Sequence, residues 1–261
     1  AAAAAGKTDV DRVKKEMDGV VASLRRSLAG SFDPEIETDA PDVLYNRIDC
    51  RGARLHTFIN DRRIAGEWAG QFRTVHDAGL PQTARISIRR MSPSSVFYDL
   101  LENKEILPAQ ARRRPGSWFP FDCRLGPCAG RYVLEMPEKI AAIQAGATPG
   151  KRKTDPVVVT VTITGASGRR IAGLCPVRVD ILDGAGVLTE YSDWFCAENG
   201  SLRVSFRPAV NEAGGVWTVR VRELCSSLTD ECWVAVPVDA VRFAERKIGP
   251  GERLDTAIWD R

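Results

Sequence analysis

From Val43 to Val236 the chain is cut into apolar runs too short for helices, and this narrows its fold more than any other feature. Val157-Val158-Val159-Thr160-Val161-Thr162-Ile163 is the plainest case: a β-branched run of strand length with Gly165-Ala166-Ser167-Gly168 behind it as a turn. Upstream, residues 54–59 form a β-rich run that Asn60-Asp61 closes with turn chemistry. Further strands are expected at residues 70–75, 84–88, 95–101 and 131–134, parted by Gly-Leu-Pro, Ser-Pro-Ser and Arg-Pro-Gly breaks. Beyond residue 155 the series continues at 176–182, 186–191, 201–206, 216–221 and 232–236. That amounts to about six or seven strands in roughly 85 residues, the density of an antiparallel sandwich. No helical spacing separates these runs, so two antiparallel packings are expected in series.

Residues 8–29 carry the one helical pattern. Val13, Met17, Val20 or Val21, Leu24 and Leu28 recur at steps of three and four, drawing a single apolar stripe. Thr8 and Asp11 resemble a capping box, and Gly30 sits where a helix C-cap belongs. Residues 31–42 are acidic and contain proline, which reads as an extended connection. Residues 141–154, rich in Ala, Gly, Pro and Lys, read as a linker. The expected fold is therefore mostly β: two antiparallel β-sandwich domains with an N-terminal α-helix. Its parts are a lead-in over 1–42, a first sandwich over 43–140, the linker 141–154, a second sandwich over 155–240 and a tail over 241–261.

Charge and motifs exclude more than they assign. The net charge of +3 is too small to make nucleic acid or an anionic membrane an obligatory partner. It averages a basic excess over residues 47–139 and an acidic excess over 154–240, a difference that fits separate units. No stretch approaches the roughly 18 unbroken apolar residues of a transmembrane helix. The start, Ala1 to Thr8, lacks the basic region and apolar core of a secretory signal. Its Gly6-Lys7-Thr8 follows five alanines rather than a glycine-rich cradle, so no phosphate loop is expected. Nucleophile elbows, zinc-protease helices, dinucleotide fingerprints and calcium loops are all missing from the sequence, and no cofactor is expected.

The second series resembles the bacterial immunoglobulin-like and macroglobulin-like modules of large extracytoplasmic proteins. The resemblance rests on Val159-Thr160-Val161-Thr162, Gly165 to Gly168, Pro176-Val177-Arg178-Val179-Asp180, Asp183-Gly184-Ala185-Gly186, Asn199-Gly200-Ser201 and Gly215-Val216-Trp217-Thr218-Val219. The first series, with Phe58-Ile59-Asn60-Asp61 and Val96-Phe97-Tyr98-Asp99-Leu100, looks like the β-sandwich domains near the C-terminal end of large bacterial glycoside-hydrolase-like proteins. The resemblance implies an exported, carbohydrate-associated protein with an extracytoplasmic address. It carries over no catalytic residue, because such families keep their carboxylates in a barrel that this chain lacks.

Seven cysteines suit that address, and their odd number leaves at least one thiol unpaired. Cys123 and Cys128 bracket a turn, Cys225 and Cys232 flank the last hairpin, and Cys175 and Cys196 lie near the ends of different strands; Cys50 is left over. Disulfides at these pairs stand against buried free thiols packing as small apolar residues. No Cys-x-x-Cys or His-rich spacing appears, so no metal site is expected. His56 alternates along a strand as a structural residue, and His76 next to Asp77 reads first as part of a turn.

Carbohydrate modules stack aromatic faces on sugar rings and add polar handles for the hydroxyls. Trp68 and Trp118, in Gly- or Pro-flanked breaks, and Tyr98 are the expected ligand-binding residues; Tyr191 and Trp194 are also available, while Trp217 and Trp233 sit in strand patterns and read as core. The leading reading is a non-catalytic accessory or structural unit whose partner is a polysaccharide or the rest of a larger polypeptide or assembly. Two alternatives remain: a carbohydrate-binding protein acting through exposed Trp and Tyr, and a glycoside hydrolase with a carboxylate site between the two sandwiches.

Overall fold

The structure, a computed structural model, describes residues 2–28, 30–31, 33–70, 73–109, 117–152, 155–209 and 212–237, together with the backbone alone for parts of the first helix and of the hairpin at 63–79. The expected tail 241–261 lies outside these residues. Among the described residues, one helix, α1 (Ala2–Leu28), precedes seventeen strands. Its end follows from Gly30, which adopts a left-handed φ of 89° and lets Ser31 N–H close on the Leu28 carbonyl at 3.0 Å.

Strands β1 (Ile36–Thr38), β6 (Gln82–Arg89) and β9 (Trp118–Leu125) form a three-stranded sheet in the order β1-β6-β9. Strands β2 (Val43–Cys50), β3 (Ala53–Asn60), β7 (Val96–Asp99), β8 (Lys104–Glu105) and β10 (Gly130–Met136) form a five-stranded one, β2-β3-β10-β7-β8. A separate hairpin is made by β4 (Arg63–Gly70) and β5 (Arg73–Gly79). All these pairings are antiparallel. The first two sheets bury one core, in which Phe97 stacks on Phe119 with ring centroids 4.2 Å apart and Phe58 meets Phe121 edge-on. Period-two alternation explains the choice of residues: Phe119, Phe121, Cys123 and Leu125 all point inward from β9.

The remaining strands are β11 (Ile140–Thr148), β12 (Val157–Gly165), β13 (Leu174–Leu182), β14 (Asp193–Glu198), β15 (Ser201–Phe206), β16 (Gly215–Glu223) and β17 (Thr229–Val236). They join in one antiparallel sheet, β11-β12-β15-β14-β13-β16-β17. The sheet curls until its two end strands lie side by side, where Ala145 N–H on β11 donates to the Asp230 carboxylate on β17 at 2.7 Å. The second core fills this curl around Trp217, whose indole N–H donates to the Ala213 carbonyl at 2.8 Å and whose ring stacks near Phe206 and Tyr191. Asn199 and Gly200 turn β14 into β15 with φ of 49° and 68°; a Cβ on Gly200 would lie 2.4 Å from the Ile163 carbonyl oxygen.

Four expectations change. Residues 141–148, expected as part of the linker, belong to β11, which opens on the buried Ile140. Residues 36–38 are not a plain connection but pair with β6. Residues 186–191 form no strand, because Asp183 Oδ1 accepts the N–H groups of Ala185 and Val187, each at 2.9 Å, and holds a turn there. Residues 70–75 straddle the tip of the β4–β5 hairpin. The five-stranded sheet also has both faces covered: Phe58, Phe97 and Val133 enter the first core, while Ala53, Tyr98, Leu134 and Met136 enter the second.

Candidate functional site

The outer face of the seven-stranded sheet combines exposed aromatic rings with ordered charge. On β13 the odd residues Cys175, Val177, Val179 and Ile181 point into the core, so Arg178 and Asp180 point out. The register places Trp194 of β14 beside Arg178, Arg178 beside Arg222 of β16, Asp180 beside Arg220, and Thr218 beside Trp233 of β17. Trp194 is 59% exposed and Trp233 64%. Arg178 stacks its guanidinium 5.0 Å from the Trp194 ring centre while its Nε donates to Asp180 at 2.7 Å. One face of the indole is thereby covered and oriented, as a cation over a ring requires. Arg220 donates to Glu231 at 2.6 Å in the next row. Three strand spacings and four residues along the strand put the two tryptophans about 20 Å apart.

The aromatic residues expected to bind ligand fall elsewhere. Tyr98 is buried, which corrects its assignment to a binding surface: it stands between β10 and β8 with its hydroxyl oxygen accepting the Ile140 N–H at 2.9 Å. Burial pushes its phenol well above the ordinary value. Trp118 opens β9 rather than a loop, is half-buried, and carries Arg89 stacked 5.3 Å from its ring centre. Trp68 lies on β4, and its side chain lies outside the described residues, as does that of His76. Trp217 is core as expected, but Trp233 is not. Parity was the available signal: Val234 and Val236 are buried, so their neighbour Trp233 must face out.

Every cysteine carries a free thiol. Cys123 faces the first core while Cys128 is exposed in the turn after β9. Cys196 is exposed on the outer face of β14, whereas Cys175 points inward from β13. The sulfur nearest to Cys175 is that of Cys225, 3.9 Å away. These two thiols and Glu223 form a buried trio of possible metal ligands, which the sequence spacing did not suggest. The carboxylate is already committed. Oε1 accepts the Cys225 N–H and the Cys175 thiol, and Oε2 accepts the Ser226 N–H at 2.8 Å and its hydroxyl at 2.5 Å. A metal bound there would have to displace these donors and ionise two buried thiols.

Buried polar groups elsewhere are likewise engaged. His56, 1% exposed, lies between the Tyr45 hydroxyl, 2.9 Å from Nδ1, and Glu135, 3.2 Å from Nε2. The Met91 N–H donates to the other Glu135 oxygen at 2.6 Å. This core-facing chain fits the structural reading of His56. Where the two cores meet, Glu198 pairs with Arg51, Glu105 with Lys139 at 2.7 Å, and Glu138 accepts from the Ser167 N–H and hydroxyl. A shallow groove on the first unit is lined by Pro81, Gln82, Thr83, Arg124, Leu125 and Gly126, with no carboxylate among them.

No protein-family model matches this chain, and no curated protein matches it. Solved structures give distant likenesses. One is a β-glucuronidase from glycoside hydrolase family 2, 15% identical, covering 73% of this chain and 21% of that one with a TM-score of 0.30. Another is red sea bream transglutaminase, 10% identical, covering 83% and 33% with a TM-score of 0.27. A third is the chicken interferon gamma receptor alpha chain, 8% identical, covering 76% and 99% with a TM-score of 0.26. The chain thus spans about a fifth of the β-glucuronidase and a third of the transglutaminase. Likenesses this loose, spread over a glycosidase, a transglutaminase and a receptor, say nothing about the chemistry of this chain.

Proposed function

We propose that this chain is a non-catalytic accessory unit of a larger exported protein, built of two β-sandwiches, and that it holds a carbohydrate on the outer face of the seven-stranded sheet. The observation that supports this is the pair Trp194 and Trp233, both open to solvent on one face with Arg178, Asp180, Arg220 and Glu231 between them. Indole faces stack on the apolar faces of sugar rings, and fixed guanidinium and carboxylate groups take the hydroxyls. The stack of Arg178 on Trp194 removes rotamer freedom before any ligand arrives, which lowers the entropic cost of binding.

The test is electrophoresis of the full chain through gels carrying a panel of neutral and acidic polysaccharides, followed by calorimetry on the best ligand. Trp194→Ala and Trp233→Ala are each expected to weaken binding by about tenfold or more, as interface tryptophans do. Trp118→Ala should leave it intact. Retardation by no polysaccharide, or binding indifferent to both outer-face substitutions, would sink the reading. A second observation bears on the larger polypeptide. Val13, Met17, Val20, Val21, Leu24 and Leu28 on α1 are all exposed, and in this reading the stripe packs on the part of that polypeptide that this unit serves.

A further inference from the structure

Cys175 lies on β13 and Cys225 in the turn that leads from β16 to β17. Val177 stands opposite Glu223 in the β13–β16 register, and the Leu224 N–H donates to the Pro176 carbonyl at 3.1 Å just beyond it. The ladder therefore continues with Pro176 opposite Leu224 as a hydrogen-bonded position and Cys175 opposite Cys225 as the adjacent non-hydrogen-bonded one. Residues facing each other at such a position have Cα atoms about 4.5 Å apart and side chains on the same face. That separation falls within the span of roughly 4.4–6.8 Å that a disulfide bridges. The two sulfurs are 3.9 Å apart, both fully buried, with no side chain between them.

We propose that Cys175 and Cys225 are joined by an intrachain disulfide when the protein meets an organic disulfide such as glutathione disulfide or an oxidised dithiol protein. The two thiols lose two electrons and two protons as their S–S bond forms. The S–S bond of the oxidant breaks, and its two sulfurs leave as thiols carrying those protons. Glu223 prepares the pair: by accepting from the Cys225 and Ser226 amides it fixes the turn that holds Cys225 over Cys175. Because both sulfurs are buried, the exchange runs while the 224–228 turn is open, chiefly during folding. Cys128 and Cys196 are exposed, which separates this fully buried pair from them.

The experiment refolds the full chain from denaturant with either glutathione disulfide or a reductant, alkylates the free thiols, and digests with trypsin and an Asp-specific protease. The expected product joins the peptides 171–178 and 223–229 and runs as a single species until reduced, with Cys232 alkylated on its own fragment. The oxidised protein should also unfold at a higher denaturant concentration than the reduced one, a shift lost in Cys225→Ala. The comparison of oxidised with reduced wild type stands even if that variant fails to fold. Alkylation of both thiols after oxidative refolding overturns the proposal, as does a bond from Cys225 to Cys232 instead, or a stoichiometric zinc ion held by both thiols.

Discussion

Asn60 does at the scale of one residue what several loops need done together. Buried at the end of β3, it donates its amide to the Leu80 and Gly126 carbonyls at 2.8 and 2.7 Å and accepts from the Arg62 N–H and the Gln82 amide. Three chain segments, at 60–62, 80–82 and 126, are thereby tied at the base of the β4–β5 hairpin. Asn60→Ala strands these carbonyls and is expected to cost about 2 kcal/mol in urea denaturation. Asn60→Asp should cost at least as much at neutral pH, because a carboxylate presents acceptors to acceptors. An equal stability of the Asp variant and the wild type would show the amide to be incidental.

At the scale of elements, α1 stands apart in that, among the described residues, its apolar stripe from Val13 to Leu28 is exposed. Every described side chain from Arg12 to Leu28 is exposed. Covering the six apolar residues of its stripe, now about half exposed, would be worth roughly 5–9 kcal/mol. Deleting residues 1–31 is accordingly expected to leave the unfolding free energy of the isolated chain within about 0.5 kcal/mol. A larger loss would mean that α1 packs on the body of this chain.

The same scale shows what could be read beforehand. The helix was legible from its three- and four-residue spacing and from Gly30, and β12, β13, β15, β16 and β17 from dense β-branched alternation. Strand β9 was hidden by Pro120, yet β9 is an edge strand paired with β6 alone, where a missing N–H breaks no ladder. Strand β11 was hidden by alanines whose propensity is overridden by pairing with β12. Of the binding face, Trp194 was visible as one aromatic among several. That it shares a face with Trp233 depends on pairing across four strands, which local sequence does not encode.

For the whole molecule, burial of ionisable groups sets an upper pH limit. Burial raises the Cys123 thiol from 9.0 to about 11 and the Tyr45 phenol from 10.0 to about 12. Between those values the folded chain keeps a proton that the unfolded chain has released. Their contribution is therefore complete below about pH 9 and is lost as pH rises toward 11 and 12. Denaturation midpoints should stay level from pH 7 to 9 and then fall, with Cys123 accounting for about 2–3 kcal/mol of the drop. Cys123→Ala should flatten that slope; an unchanged slope would assign the loss to other groups.

The five-stranded sheet, with Tyr98, Leu134 and Met136 on one side and Phe58, Phe97 and Val133 on the other, is a party wall rather than the flank of one house. Either half, copied alone into another protein, would arrive with a raw apolar face. Recombination that swaps one half must carry over the matching residues of its neighbour, so the two are inherited, or redesigned, as a single block.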